Sequence, residues 1–216
     1  MAKRITPRQF HDAPGVEKWR VLANEVCTRF RTGSFSKGVE FVRVISELAE
    51  AANHHPDVDV RYSSVTVRMM THDVDGLSQR DVELAQQISA AARALKPSAD
   101  PAGVQDVQVS IDALAIPAVR AFWRAVLGYR EEGNEDLLDP HSRGPSFWFQ
   151  KMDEPREKRN RMHVDIYVPH DQAEARVAAA IAAGGRLVTD LYAPAWWVLA
   201  DVEGNEACVA SGMGRD

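Results

Sequence analysis

Apolar residues at Val39, Val42, Ile45, Leu48, Ala49 and Ala52 recur at helical spacing and predict an amphipathic helix over Ser36–Asn53. Pro56 disfavours helical backbone at His55, so that helix should stop by about His54. Before it, Thr6-Pro7-Arg8-Gln9 has the form of a capped helix start, and Val16–Leu22 and Val26–Thr32 predict a strand pair. After it, Asp57–Tyr62 and Ser64–His72 alternate as strands. Ser78 and Asp81 have capping-box spacing and open a helix whose apolar stripe runs through Leu84, Ile88, Ala91 and Leu95. Lys96 to Gly103 is polar, rich in Pro and Gly and without period, the signature of a linker.

A second pattern follows. Val107, Val109 and Ile111 alternate as a strand, Pro117–Leu127 is helical up to Gly128, and strands are expected near Tyr129–Glu132 and Ser146–Lys151. The order then recurs: strand Met162–Val168, helix Asp171–Ala183, and strands Leu187–Thr189, Trp196–Ala200 and Glu206–Ala210. Two βαβββ units of about 55 residues each account for this recurrence. The expected fold is α+β: an N-terminal antiparallel sheet with helices on one face over residues 1–96, a linker at 97–103, and a paired βαβββ domain over 104–216.

Composition narrows the function classes. A chain of 216 residues with 45% hydrophobic and 26% charged residues suits two soluble globular domains. A net charge of −5 argues against a nucleic-acid surface, and the basic residues Arg156, Lys158, Arg159 and Arg161 are balanced by Asp153, Glu154 and Glu157. There is no membrane-length apolar run and no signal-peptide pattern, so the expectation is a cytoplasmic protein with no membrane partner. The two cysteines, Cys27 and Cys208, are expected in different domains and reduced.

Candidate chemistry concentrates at Glu50-Ala-Ala-Asn-His54-His55-Pro56-Asp57, with His72 downstream. Imidazole gives and takes protons near neutral pH, so three converging histidines would make a proton-transfer site without a metal. A zinc site from Glu50, His54 and His72 is the competing reading, although nothing in the spacing is as specific as His-Glu-x-x-His. Each histidine could equally be an ordinary helix-end or surface residue. Glu50 lies one turn before His54, where it can orient that ring or support the helix end. Asp81 reads as mostly structural, through its capping box.

Residues 5–96 resemble the pterin-4a-carbinolamine dehydratase family. The resemblance rests on Glu50, His54, His55, Pro56, Tyr62, His72 and Asp81 at the family's spacing, and on Trp19 and the Phe30-Arg-Thr-Gly-Ser-Phe run. It implies dehydration of a reduced pterin carrying a hydroxyl on carbon 4a, with His54, His55 and His72 catalytic and His55 the principal acid/base. Trp19, Glu50, Pro56 and Asp57 are then the substrate-binding candidates, with no cofactor, no metal and a homodimer or tetramer. A dimerising regulatory role, as some relatives have, would not need the histidines.

Residues 104–216 resemble glyoxalase-like members of the vicinal oxygen chelate superfamily, through Ala121-Phe-Trp-Arg-Ala-Val-Leu-Gly-Tyr129, Gly144–Gln150, Asn160–Asp165 and Leu199–Asn205. That resemblance implies a divalent ion held by His and Glu on equivalent strands. Here His163 occupies one such position, but Gln108 and Cys208 stand where a His and a Glu are expected. An amide and a thiol are poor ligands for a hard divalent ion, so the expectation is a binding module for an unknown small ligand rather than a second metalloenzyme. Trp148, Trp196 and Trp197 suggest a pterin-related or aromatic ligand.

Overall fold

A computed structural model describes residues 2–117, 119–120, 129–142, 144–154, 162–182, 185–200 and 206–214. The chain divides into two compact units. The first comprises Met1–Gln105 with Pro169–Gln172 and Ser211–Asp216, and the second comprises Asp106–Val168 with Ala173–Ala210.

In the first unit, Thr6 and Gln9 form a reciprocal capping box on α1 (Pro7–His11). Strands β1 (Arg20–Leu22), β2 (Glu25–Arg31), β3 (Asp57–Arg61) and β4 (Ser64–Met69) make an antiparallel sheet in the order β1-β2-β4-β3. Alternation decides which side is covered: Val26, Phe30, Val65, Val67 and Met69 join the core. Phe41 and Ile45 of α2 (Phe35–Ala52) and Val82, Leu84, Ala85 and Ile88 of α3 (Gln79–Leu95) complete it.

Three boundaries differ from expectation. The strand predicted over Ser64–His72 ends at Met69; Thr71 bridges to Gly76, and His72 opens a short 3₁₀ turn, His72–Val74. Trp19 precedes β1 instead of lying within a strand. The segment at 97–103 is tied down: β5 (Ser98–Ala99) pairs with β2, and Asp100 accepts hydrogen bonds from Arg29 Nη1 at 3.0 Å and Arg31 Nε at 3.1 Å. Its Pro/Gly composition hid a two-residue edge strand held by long-range charge.

The second unit is an eight-stranded mixed sheet in the order β11-β12-β13-β10-β6-β9-β8-β7. Its strands are β6 (Asp106–Ala113), β7 (Arg130–Glu132), β8 (Asp136–Leu138), β9 (Ser146–Lys151), β10 (Met162–Tyr167), β11 (Arg186–Thr189), β12 (Trp196–Ala200) and β13 (Glu206–Ala210). The duplication is visible in the pairing. β6 pairs parallel with β9, β10 pairs parallel with β13, and β6 and β10 meet antiparallel at the centre. Helix α4 (Ala173–Ala182) buries Ala173 and Val177 with Val168, Trp197, Leu199 and Val209. Strand β8 escaped the pattern reading, and the helix expected over Pro117–Leu127 falls mostly outside the described residues. No helix among the described residues is long and apolar enough to cross a membrane.

Candidate active site

Helix α2 ends in a Schellman turn. Asn53 adopts left-handed backbone (φ 45°, ψ 45°), its N–H bonds to Glu50 O at 3.1 Å, and the His54 N–H reaches Ala49 O at 3.0 Å. Asparagine tolerates that conformation better than most non-glycine residues. The reversal gives the two adjacent histidines opposite fates.

His54 turns inward and is 6% exposed, with Nε2 donating to Asp81 Oδ1 at 2.8 Å. Asp81 is fully buried, and its other oxygen accepts from Thr71 Oγ1 and from the Ser78 backbone N–H, each at 2.7 Å. With the Thr71 proton committed to Asp81, the Ser78 hydroxyl donates to Thr71 Oγ1 at 2.7 Å. Arg80 Nη2 bonds to the Asn53 carbonyl, tying the start of α3 to the end of α2. A carboxylate facing Nε2 fixes the ring as the Nε2–H tautomer and leaves Nδ1 as its basic atom.

His55 turns outward. It is exposed, and its Nε2 donates to the exposed Glu50 at 3.2 Å. Of the two roles open to Glu50, orienting His54 or supporting the helix end, the first is not seen: its carboxylate pairs with His55. The left-handed residue between them displaces His54 from the helical register that the i,i+4 rule assumes. His72 is exposed and directly follows Thr71, so the buried network joins the His54 turn to the segment that carries His72. A depression of about 310 Å³, lined by Ala2, Lys3, Asp73, Ser78, Gln79 and Arg80, opens beside Ser78 and next in sequence to His72.

The other candidates are placed less uniformly. Pro56 is half-buried, and Asp57 is exposed at the start of the edge strand β3. Tyr62 sits in the β3–β4 turn, exposed. Trp19 is a core residue, 0% exposed, with its indole N–H donating to Ser89 Oγ at 2.9 Å. It has no exposed surface, and the Ser89 bond satisfies its indole N–H. Asp81, read as mostly structural from its capping box although it also stands in the family pattern, is the centre of the network. The spacing showed Ser78 N–H as a partner, but nothing local announced His54, 27 residues away.

In the second unit, one group among the described residues has metal-ligand chemistry: His163, Asp165 and Cys208, with ligand atoms all within 4.8 Å of one another. The zinc alternative built on Glu50, His54 and His72 forms no such group among the described residues. Gln108, at the position where the superfamily pattern expects a His, donates to Ser146 Oγ at 3.2 Å. Gln108 and Cys208 are thus not the His and Glu that the superfamily pattern places on these strands. Of the three tryptophans considered for ligand binding, Trp197 is buried in the core. Trp196 stacks on Tyr192 at 4.5 Å, and Trp148 donates to Glu135 Oε2 at 3.3 Å.

Comparison with known proteins agrees with this division. Residues 3–91 match the family model described as pterin 4 alpha carbinolamine dehydratase, and residues 108–210 match that of a glyoxalase-like domain. A Roseiflexus sp. protein named "Putative pterin-4-alpha-carbinolamine dehydratase" is 40% identical over 89 residues, covering 41% of this chain and 96% of that one. One of the same name from Picosynechococcus sp. is 38% identical over 86 residues, covering 39% of this chain and 94% of its own. A crystal structure titled transcriptional coactivator/pterin dehydratase, from Brucella melitensis, aligns with TM-score 0.40 and 25% identity over 42% of this chain and 99% of that chain. Through its first unit, joined here to a glyoxalase-like domain, the chain belongs to the pterin-4a-carbinolamine dehydratase family.

Proposed function

We propose that the first unit dehydrates a 4a-hydroxytetrahydropterin to the quinonoid dihydropterin. In this reaction the bond from carbon 4a to the hydroxyl oxygen breaks, the leaving oxygen takes a proton, and the adjacent ring nitrogen gives one up as its double bond to carbon 4a forms. Water and the dihydropterin leave, with no net oxidation. Hydroxide departs slowly unless it is protonated, so the chemistry asks for one acid and one base, each contributing typically ~10²–10⁴-fold.

His55 is the principal acid/base in this reading. It is solvent-accessible, and its hydrogen bond to Glu50 holds the ring at the helix exit. His72, also exposed, is the second proton-transfer group. His54 acts through Nδ1, because Nε2 is committed to Asp81. Glu50, Pro56 and Asp57 border the substrate, while Trp19 supports the site from the core. The chain assembles as a dimer or tetramer, and the second unit binds a small ligand. The observation that carries the reading is the Asp81 network, which gives one histidine a defined tautomer and joins it to the segment holding another.

The test is titration with a non-reacting oxidised pterin, followed by the imidazole signals in NMR, together with sedimentation for the assembly. The ring signals of His54, His55 and His72 should move while that of His163 stays still. Unmoved signals at all three under saturating pterin would overturn the assignment.

A further inference from the structure

We propose that His163, Asp165 and Cys208 hold a thiophilic divalent ion of the zinc type, a site with a different ligand preference from the hard-ion set that the domain's resemblance implies. Strand register places the three together. Asp165 stands opposite Cys208 on β13 and opposite Gln108 on β6, while His163 stands opposite Ser110. Directly paired residues share a face, so these polar side chains lie on one side of the sheet. Their neighbours Ile166 and Val209 point to the other side, into the core that α4 covers. Core packing therefore does not explain the polar cluster.

The geometry is close to what zinc needs. With ligand bonds of about 2.0–2.3 Å and tetrahedral angles, ligand atoms should be roughly 3.3–3.8 Å apart. The largest separation allowed here is 4.8 Å, a difference that side-chain rotation of about 1 Å removes. Asp165 Oδ1 is buried and has no hydrogen-bond partner among the described residues, with His163 Nε2 within ion-pair reach at 3.5 Å. Such an oxygen is costly to bury unless something positive meets it. Its other oxygen accepts from Ser110 Oγ at 3.4 Å, which orients the carboxylate.

The donor types set the preference. One thiolate, one imidazole and one carboxylate suit zinc or cobalt, whereas magnesium, calcium and manganese favour all-oxygen shells. Three protein ligands also leave one coordination position open. Gln108, opposite Asp165, holds its NH₂ on Ser146 Oγ at 3.2 Å, which leaves its amide oxygen beside the three ligands.

The test is titration of the full-length protein with Co²⁺, read by absorption. A one-to-one complex with a thiolate-to-cobalt charge-transfer band is expected, displaced by one equivalent of Zn²⁺ and unaffected by a large excess of Mg²⁺. The chain has two cysteines, so Cys27→Ser should keep the band and Cys208→Ser should lose it. Asp165→Asn should weaken Co²⁺ binding by tenfold or more. No band in folded wild-type protein or in Cys27→Ser, or a band that survives Cys208→Ser, would overturn the proposal.

Discussion

Asp81→Asn changes one atom and separates the network's chemistry from its shape. In the wild-type protein, Oδ2 accepts from Thr71 and the Ser78 N–H while Oδ1 accepts from His54, all at 2.7–2.8 Å. The asparagine carbonyl can keep the first two partners, but its NH₂ then faces His54 Nε2. Two donors cannot bond, so the imidazole must move its proton to Nδ1. Three charge-assisted bonds become neutral ones, at a loss of about 1 kcal/mol each, so destabilisation of about 2–3 kcal/mol is expected. Urea unfolding measures that loss, and long-range ¹H–¹⁵N spectra report the tautomer. Because Nδ1 is the atom proposed to act, dehydration should slow by about 10²-fold even under conditions where the variant is fully folded. A folded variant with the Nε2–H tautomer and wild-type rate would refute this reasoning.

Other consequences can be checked separately. Glu50→Gln keeps a neutral hydrogen bond to His55 at an exposed site, so urea unfolding should show a stability change of no more than about 0.5 kcal/mol; a loss several times larger would contradict an exposed pairing. Asp100→Ala should release β5 from Arg29 and Arg31, costing about 1–2 kcal/mol and speeding hydrogen exchange at Ser98–Ala99. Burial, with the nearby His170 and Arg20, lowers the pKa of His11 to about 4 from 6.5. The unfolded chain therefore takes up a proton that the fold resists, so stability is full above about pH 6.5 and is lost as pH falls toward 4. Solvent screening at a half-buried ring reduces the expected loss to about 1 kcal/mol. Urea titrations at pH 7 and pH 5 should show that difference shrink in His11→Gln.

Local rules carried the fold further than they carried the site. The α2 stripe and Pro56 predicted a helix to within a residue of Phe35–Ala52, and β9, β12 and β13 begin and end where the alternation does. The site depended on a backbone reversal and on distant pairing. Asn53 in left-handed backbone buries His54 and turns out His55, and an asparagine before two histidines signals this less clearly than a glycine would. The capping box at Asp81 uses one carboxylate oxygen and leaves the other free to reach His54, a pairing that only its place in the family pattern hinted at. In the second unit, Asp165 stands outside the ligand positions that the resemblance implies. It lies two residues beyond His163 and therefore on the same strand face.

The central claim is that histidines at the exit of α2 and after β4 move protons on a bound pterin. Stopped-flow dehydration of a 4a-hydroxytetrahydropterin by wild type, His55→Ala, His72→Ala and the double variant tests it most directly. The account predicts a wild-type rate well above buffer, single-variant losses of about 10²-fold, and a double variant close to the uncatalysed reaction. Equal rates in wild type and double variant would contradict it.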